Sequence, residues 1–116
     1  MIKRNNEFDI IVKKNMRDGD GEVTIQKIWN EKTELKANTR LFAKLIVGKG
    51  SSIGFHKHEN EEEVFVILKG QAEMNDNGKI EILNPGDSIL TADGAGHSVR
   101  SIGEERLEML AVISCY

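Results

Sequence analysis

The chain has 116 residues, of which 39% are hydrophobic and 30% are charged, and its formal net charge is -3 at pH 7. This length favours a single compact domain, and the composition is typical of a globular protein rather than a disordered one. Its 16 basic residues are outnumbered by 19 acidic ones and form no long run, so nucleic acid is not an expected partner. No apolar stretch approaches the roughly 20 residues of a membrane span, and we expect no membrane partner either.

The spacing of glycine and proline predicts an all-β fold. Eleven glycines and one proline separate short apolar runs, a rhythm that favours short strands over helices. Asn77-Gly78 and Asn84-Pro85-Gly86 are typical of tight turns between antiparallel strands. The expected strands are residues 8–13, 22–29, 39–47, 52–58, 63–69, 71–75, 79–83, 88–91, 97–102 and 106–114. Ten short strands indicate a closed barrel or a two-sheet sandwich, because either arrangement protects the strand edges.

The remaining segments carry weaker signals. Residues 30–38 are polar and are expected to form a loop or a single turn, and residues 14–21 a mobile loop. The apolar run 10–12 is too short for a signal peptide. The only cysteine, Cys115, cannot form an internal disulfide and is expected to be a small buried residue of the last strand. A cytoplasmic location agrees with this cysteine usage.

All three histidines belong to one pattern. His56 and His58 are two residues apart on a predicted strand, so their imidazoles point the same way, and His97 follows a glycine-rich turn. Two converging neutral imidazoles gain little from each other, whereas a divalent metal uses both lone pairs. A carboxylate is the natural further ligand because it offsets part of the metal charge. The pattern therefore predicts one divalent transition metal per chain, which iron, manganese, nickel, cobalt, copper or zinc could each supply.

The carboxylate ligand belongs to the acidic run 59–63. Alternation does not separate Glu62 from Glu63, because both faces of the strand that follows are apolar. Apart from the ligand itself, Glu59, Glu61 and Glu62 are expected to form a solvated acidic turn.

At this point the sequence resembles the cupin family. The first cupin motif contains two glycines, a His-x-His pair and a glutamate at fixed spacings. It is complete here in Gly50, His56, His58, Glu63 and Gly70.

The second cupin motif is matched less fully. Gly86, Gly94 and His97 occupy their positions, but Ala92 stands for the family's proline and Ser101 for its asparagine. Neither departure concerns a metal ligand of the family. The turn before His97 is expected to be looser as a result.

The resemblance implies a jelly-roll β-barrel, built as a single domain over residues 1–116. The barrel core is expected at residues 40–113, with N-terminal strands in residues 1–38. It also implies that the metal ligands gather inside the barrel and that Glu63 is the carboxylate among them. The full ligand set is then His56, His58, Glu63 and His97.

With the ligands facing inward, alternation assigns the neighbouring side chains. The expected inward residues are Phe65, Ile67, Val99 and Ser101, and the outward ones Val64, Val66, Ser98 and Arg100. On residues 39–47 either face could be inward. If the face with Arg40 and Lys44 is outward, both are solvated; if it is inward, Arg40 becomes a carboxylate anchor for a substrate.

Two functional hypotheses remain open from the residues. The first is a metal-dependent enzyme acting on a small organic molecule, an oxygenase, isomerase or lyase, although no acid or base is evident beside the ligands. The second is a non-catalytic module that binds a small, sugar-like ligand or only a structural metal.

Small cupins often exchange an N-terminal strand between subunits, so we expect a homodimer with Trp29 and parts of residues 41–47 near its interface. Trp29 could equally be a residue of the hydrophobic core.

Overall fold

A computed structural model describes residues 1–116 and contains ten β-strands with two short 3₁₀ turns. The turns are Asn5–Glu7 and Met16–Asp18. The strands are β1 (Asp9–Lys14), β2 (Glu22–Lys27), β3 (Thr39–Val47), β4 (Ser52–Lys57), β5 (Glu61–Lys69), β6 (Ala72–Asp76), β7 (Lys79–Leu83), β8 (Ser88–Thr91), β9 (Gly96–Ser101) and β10 (Leu107–Cys115). None of the helical segments has the length and hydrophobicity needed to cross a lipid bilayer.

The strands form two facing antiparallel sheets. The larger has the order β1-β2-β3-β10-β5-β8 and the smaller the order β4-β9-β6-β7. This arrangement confirms the prediction of an all-β jelly-roll barrel folded as a single domain. β1 pairs with β2 of the same chain and has no neighbour on its other side.

The predicted elements agree with the strands to within one residue at each end, except at the start of β5 and the end of β2. β5 begins at Glu61 rather than Glu63, β4 ends at Lys57 so that His58 lies just beyond it, and β2 ends at Lys27. Residues 30–38 form turns and loop, as expected. Asn77 and Gly78 both have positive φ angles, as a tight hairpin between β6 and β7 requires.

One end of the barrel interior is filled by apolar side chains. Leu45, Met109 and Ile67 are paired across β3, β10 and β5, and all three are buried. The four residues predicted to face inward, Phe65, Ile67, Val99 and Ser101, are buried, which confirms their assignment. The inward face of β3 consists of Ala43, Leu45 and Val47.

Alternation is broken next to the candidate ligands, in the strand that carries the first histidine. The pairing of β4 with β9 shifts register between Ile53 and His56, which marks a β-bulge. Phe55 therefore points outward while His56 faces the interior. Gly54 lies within this bulge, and a side chain there would place Cβ 1.9 Å from the carbonyl oxygen of Arg17.

Trp29 follows β2 and is not part of the buried core. It is partly exposed, and the ammonium of Lys3 lies 5.0 Å from its ring centroid. Lys3 also forms an ion pair with Glu34. These contacts attach the N-terminal segment to the loop that precedes β3, so the assignment of Trp29 to ordinary core is wrong.

Candidate metal centre

Neighbouring strands carry the four candidate ligands to one end of the barrel. His56 on β4 is the register partner of His97 on β9. His58 follows β4 directly, and Glu63 lies on β5 opposite Thr91 of β8. Because β4 and β9 belong to one sheet and β5 to the other, the four side chains meet between the sheets.

The donor atoms of these side chains converge closely. His97 Nε2 lies 3.1 Å from His58 Nε2 and 3.2 Å from His56 Nε2. Glu63 Oε1 lies 3.0 Å from His58 Nε2 and 3.1 Å from His97 Nε2. All four ligand atoms are within 4.8 Å of one another, and this is the one such group of three or more histidine, cysteine or carboxylate side chains in the chain.

The hydrogen bond made by Nδ1 of each imidazole determines whether Nε2 carries a lone pair. His56 Nδ1 donates to the carbonyl oxygen of Gly54 at 2.7 Å, and His58 Nδ1 donates to Glu61 Oε2 at 2.5 Å. Thr91 Oγ1 lies 2.7 Å from His97 Nδ1 and can accept its proton. In neutral imidazoles, a proton on Nδ1 leaves a lone pair on Nε2.

Three lone pairs and a carboxylate therefore face a common point, an arrangement that suits a bound cation. Metal–imidazole distances of about 2.0–2.1 Å place adjacent ligands about 3 Å apart, which matches the spacing between the nitrogens of His97 and His58. Nitrogen and oxygen donors of this kind suit iron, manganese, nickel, cobalt, copper or zinc. The residues present thus fit a divalent transition metal, and four donors leave room for an exogenous ligand in a six-coordinate site.

Neighbouring groups fix the ring of His97 and the loop of His58. Phe65 stacks on His97 with the ring centroids 4.9 Å apart and an interplanar angle of 11°. The amide of Gly94 donates to the carbonyl of His58 at 2.7 Å, and the amide of His58 donates to Ala95 at 3.0 Å. These hydrogen bonds join the turn before His97 to the loop of His58. The expectation that Ala92 loosens this turn stays a prediction.

Glu61 is not part of a solvated acidic turn, contrary to the sequence-based expectation. Its carboxylate accepts the Nδ1 proton of His58 and two hydrogen bonds from Arg40, at 2.8 and 2.7 Å. Arg40 lies on the outward face of β3 with its side chain 48% exposed, as the outward alternative predicts, and its guanidinium is paired with Glu61. A carboxylate that orients a metal-binding histidine is a common outer partner in metal sites. The spacing of Glu61 three residues after His58 was the available signal.

These contacts shift the ionisation of the cluster. Burial lowers the pKa of His56 to about 4, whereas the hydrogen bond to Glu63 raises the pKa of His58. The guanidinium of Arg40, and then His58, lower the pKa of Glu61 to about 2. Burial raises the pKa of Glu63, but hydrogen bonds from His58 and His97 outweigh it, and the net shift is downward. These shifts describe the metal-free cluster, in which a protonated His58 can donate from Nε2 to Glu63.

A cavity of about 490 Å³ opens beside the cluster, and much of its wall comes from residues 1–38, where the sequence showed no motif. His56, His58 and Glu63 line one side of it. Its ionisable lining otherwise consists of Lys13, Lys14, Arg17, Lys27, Glu31 and Arg40. Burial, and then the charges of His97 and Arg17, lower the pKa of His56.

Comparison with known proteins agrees with this architecture. The sequence profile of the cupin domain matches residues 43–113. An oxalate-binding protein from Thermotoga maritima is 40% identical over 113 residues, which cover 97% of this chain and 93% of the relative.

Solved structures are similar over the whole chain. The crystal structure of a predicted oxalate decarboxylase from Thermotoga maritima superposes with a TM-score of 0.94 at 38% identity and covers 100% of both chains. The polyketide cyclase RemF from Streptomyces resistomycificus gives a TM-score of 0.77 at 20% identity, covering 100% of this chain and 81% of the other. The second likeness is one of fold alone.

Proposed function

The chain belongs to the cupin family, and we propose that it holds a divalent transition metal at His56, His58, Glu63 and His97 and binds a small carboxylic acid of the oxalate class there. The observation that carries this proposal is the charge of the cavity beside the four side chains. Five lysine and arginine side chains line it against two glutamates, one of which is Glu63. This basic excess, in a protein of net charge -3, favours an anion over a neutral sugar.

The charge excess is concentrated in side chains without close carboxylate partners. Lys27 is paired with Glu31 at 2.9 Å and Arg40 with Glu61. Lys13, Lys14 and Arg17 remain, and of these only Lys14 has a carboxylate nearby, Glu22 at 3.9 Å. A carboxylate bound to the metal would therefore meet further positive charge. The relative described as an oxalate-binding protein supports the same ligand class.

Calorimetric titration of metal-loaded protein with oxalate tests the proposal. Protein loaded with Mn²⁺, Co²⁺ or Zn²⁺ is expected to bind oxalate with near 1:1 stoichiometry and to bind glucose not at all. The same protein stripped with a chelator, which is removed before titration, is expected to lose oxalate binding. Absence of oxalate binding by the loaded protein, or equal binding by the stripped protein, would contradict the proposal.

Turnover of the bound acid is a second candidate, favoured by Glu31. This residue lines the cavity, and its Oε2 is buried without a hydrogen-bond partner. Burial raises its pKa, but Lys27 outweighs burial, so the group is a carboxylate at neutral pH and can accept a proton. Metal-loaded protein incubated with oxalate under air should then release CO₂ and formate, and Glu31→Gln should abolish release while retaining oxalate binding. Lack of product from the wild type leaves binding as the function.

We also propose a homodimer formed through the outer face of the six-stranded sheet. Sheets with one solvated face usually carry polar residues there, but nine positions of this face are apolar. Its apolar members are Ile10, Val12, Phe42, Ile46, Val64, Val66, Leu90, Leu110 and Val112. Ile10 and Leu90 are 60% and 56% exposed.

A second copy is the occupant that fits this face, because a two-fold axis pairs one patch with itself and needs no separate complementary surface. Lys44 near the centre of this face is paired with Glu108 at 2.6 Å, so its charge is not left without a partner there. Light scattering should give twice the 13.0 kDa chain mass. Leu110→Lys should give the monomer mass, while Ile80→Lys on the other sheet should not. A monomeric wild type would contradict the dimer.

A cytoplasmic location of the protein stays a prediction.

A further inference from the structure

Arg17 is the one arginine of the cavity with no carboxylate partner. The chain has five arginines. Arg40, Arg100 and Arg106 are paired with Glu61, Asp20 and Glu108. The other two are both exposed, but Arg4 lies outside the cavity, near the N-terminus, whereas Arg17 lines the cavity beside the metal-binding cluster.

The backbone around Arg17 has an uncommon conformation. Asn15, Arg17 and Asp18 all have left-handed φ angles, of 51°, 55° and 64°, which non-glycine residues adopt in only a few per cent of cases. The turn is closed by hydrogen bonds from Asp18 N to Asn15 O at 3.0 Å and from Gly19 N to Met16 O at 3.0 Å. The chain thus maintains a strained turn that carries the arginine. Such strain persists only where surrounding structure holds it, and it clusters at ligand clamps.

Two glycines seat this turn on the strand that carries His56. A Cβ on Gly54 would lie 1.9 Å from the carbonyl oxygen of Arg17, and a Cβ on Gly19 would lie 2.3 Å from the carbonyl oxygen of Ser52. The carbonyl of Gly54 in turn accepts the Nδ1 proton of His56. The backbone of Arg17 is therefore fixed directly against the residue that orients a candidate ligand.

The lysines that line the same cavity are not held by such a backbone contact. Lys13 and Lys14 are exposed, as Arg17 is, but they lie on the edge strand β1 and outside the turn that packs against Gly54. A guanidinium presents a planar pair of donors that matches a carboxylate, whereas an ammonium is a point charge on a flexible stem. Among the unpaired cations, Arg17 alone combines carboxylate-matching geometry with a fixed backbone.

We infer that Arg17 binds the second carboxylate of a dicarboxylic acid whose first carboxylate is held at the metal-binding cluster, so that the site selects dianions over monocarboxylates. This inference rests on the proposed function and adds the residue that determines its specificity. Arg17 is a binding residue and takes no part in holding the metal.

Calorimetric titration of Mn²⁺-loaded variants with oxalate and with acetate tests the inference. Arg17→Gln should weaken oxalate binding by about 10- to 100-fold, the loss expected for charge-assisted hydrogen bonds. Acetate affinity and metal content should remain those of the wild type. Arg4→Gln is the matched control, because it makes the same charge change at an arginine outside the cavity, and it should bind oxalate as the wild type does.

Arg17→Gly separates the side chain from the strained backbone. Glycine adopts left-handed angles readily, so this variant should have a melting temperature at or above that of the wild type and should still lose oxalate affinity. Unchanged oxalate binding in Arg17→Gln, or equal losses for oxalate and acetate, would overturn the inference alone. Failure of the wild type to bind oxalate would instead overturn the proposed function as well.

Discussion

The two ends of the barrel interior use the same inward positions in opposite ways. At one end, Leu107, Met109 and Ile67 fill the space between the sheets and are almost completely buried. At the other end, the corresponding positions carry imidazoles and Glu63, and a cavity remains beside them.

The difference shows how one barrel separates stability from binding. Close packing at the apolar end gains free energy from burial and leaves no room for a ligand. The polar end holds groups that are costly to bury unless a cation or hydrogen bonds satisfy them. A substitution at the polar end should therefore affect mainly metal binding, and one in the packed interior mainly the free energy of unfolding. Four substitutions follow in order of expected effect.

Loss of a candidate ligand should have the largest effect and should be confined to the polar end. His58→Ala removes one of the three imidazoles, so metal content should fall from near one per chain to near zero. Elemental analysis of protein expressed without a histidine tag measures this, and Lys57→Ala, an exposed neighbour, should keep its metal. Wild-type stoichiometry in the His58 variant would refute the site.

A cavity at the apolar end should reduce stability without removing the metal. Met109 is fully buried, and its replacement by alanine should lower the free energy of unfolding by about 2–5 kcal/mol, since packing contacts are lost and the space does not refill. Urea denaturation gives this value. Ile80→Ala, at a 57% exposed position, should cost well under about 1 kcal/mol. Equal losses in the two variants would show that the packed end is not the stabilising one.

Removal of Glu61 should weaken the metal site without abolishing it. Glu61→Ala leaves His58 Nδ1 without its carboxylate, and loss of such an outer partner typically reduces metal affinity by about 10- to 100-fold. Competition with a chromophoric chelator measures the dissociation constant. Glu59→Ala changes an exposed glutamate of the same acidic run and should leave the affinity unchanged. If Glu61→Ala bound the metal as tightly as Glu59→Ala does, Glu61 would have no role in positioning His58.

The smallest effect is expected at Ser101, where the second motif departs from the family pattern. Its hydroxyl is buried with no hydrogen-bond partner, which is unfavourable. Ser101→Ala should raise the free energy of unfolding by about 1 kcal/mol, again measured by urea denaturation. Ser98→Ala, on the outer side of the same strand, should change little. A less stable Ser101 variant would indicate that its hydroxyl is satisfied after all.

Much of the architecture was predictable from local signals. The Asn77-Gly78 turn and the runs between glycines predicted the strands, and strand alternation placed Phe65 and Ile67 inside. The two cupin motifs supplied the choice of Glu63, which alternation could not make. Residue spacing was therefore enough to predict features that depend on a single strand or a single motif.

Contacts between segments distant in sequence were not predictable. Arg40 and Glu61 are 21 residues apart, and only the pairing of their side chains shows that neither is free. Arg17 belongs to a segment with no motif, yet the bulge at Gly54 brings its backbone against β4. A bulge is invisible to a count of alternating residues because it adds one position to one strand.

The amino-acid sequence by itself determined the strand-rich fold and named four side chains able to hold a metal, because turn residues and two-residue periodicity act locally. The tertiary structure decided which charges around them are already paired and which remain free to meet a ligand. That decision depends on distances between remote segments, and electrostatic interactions act through those distances rather than along the chain.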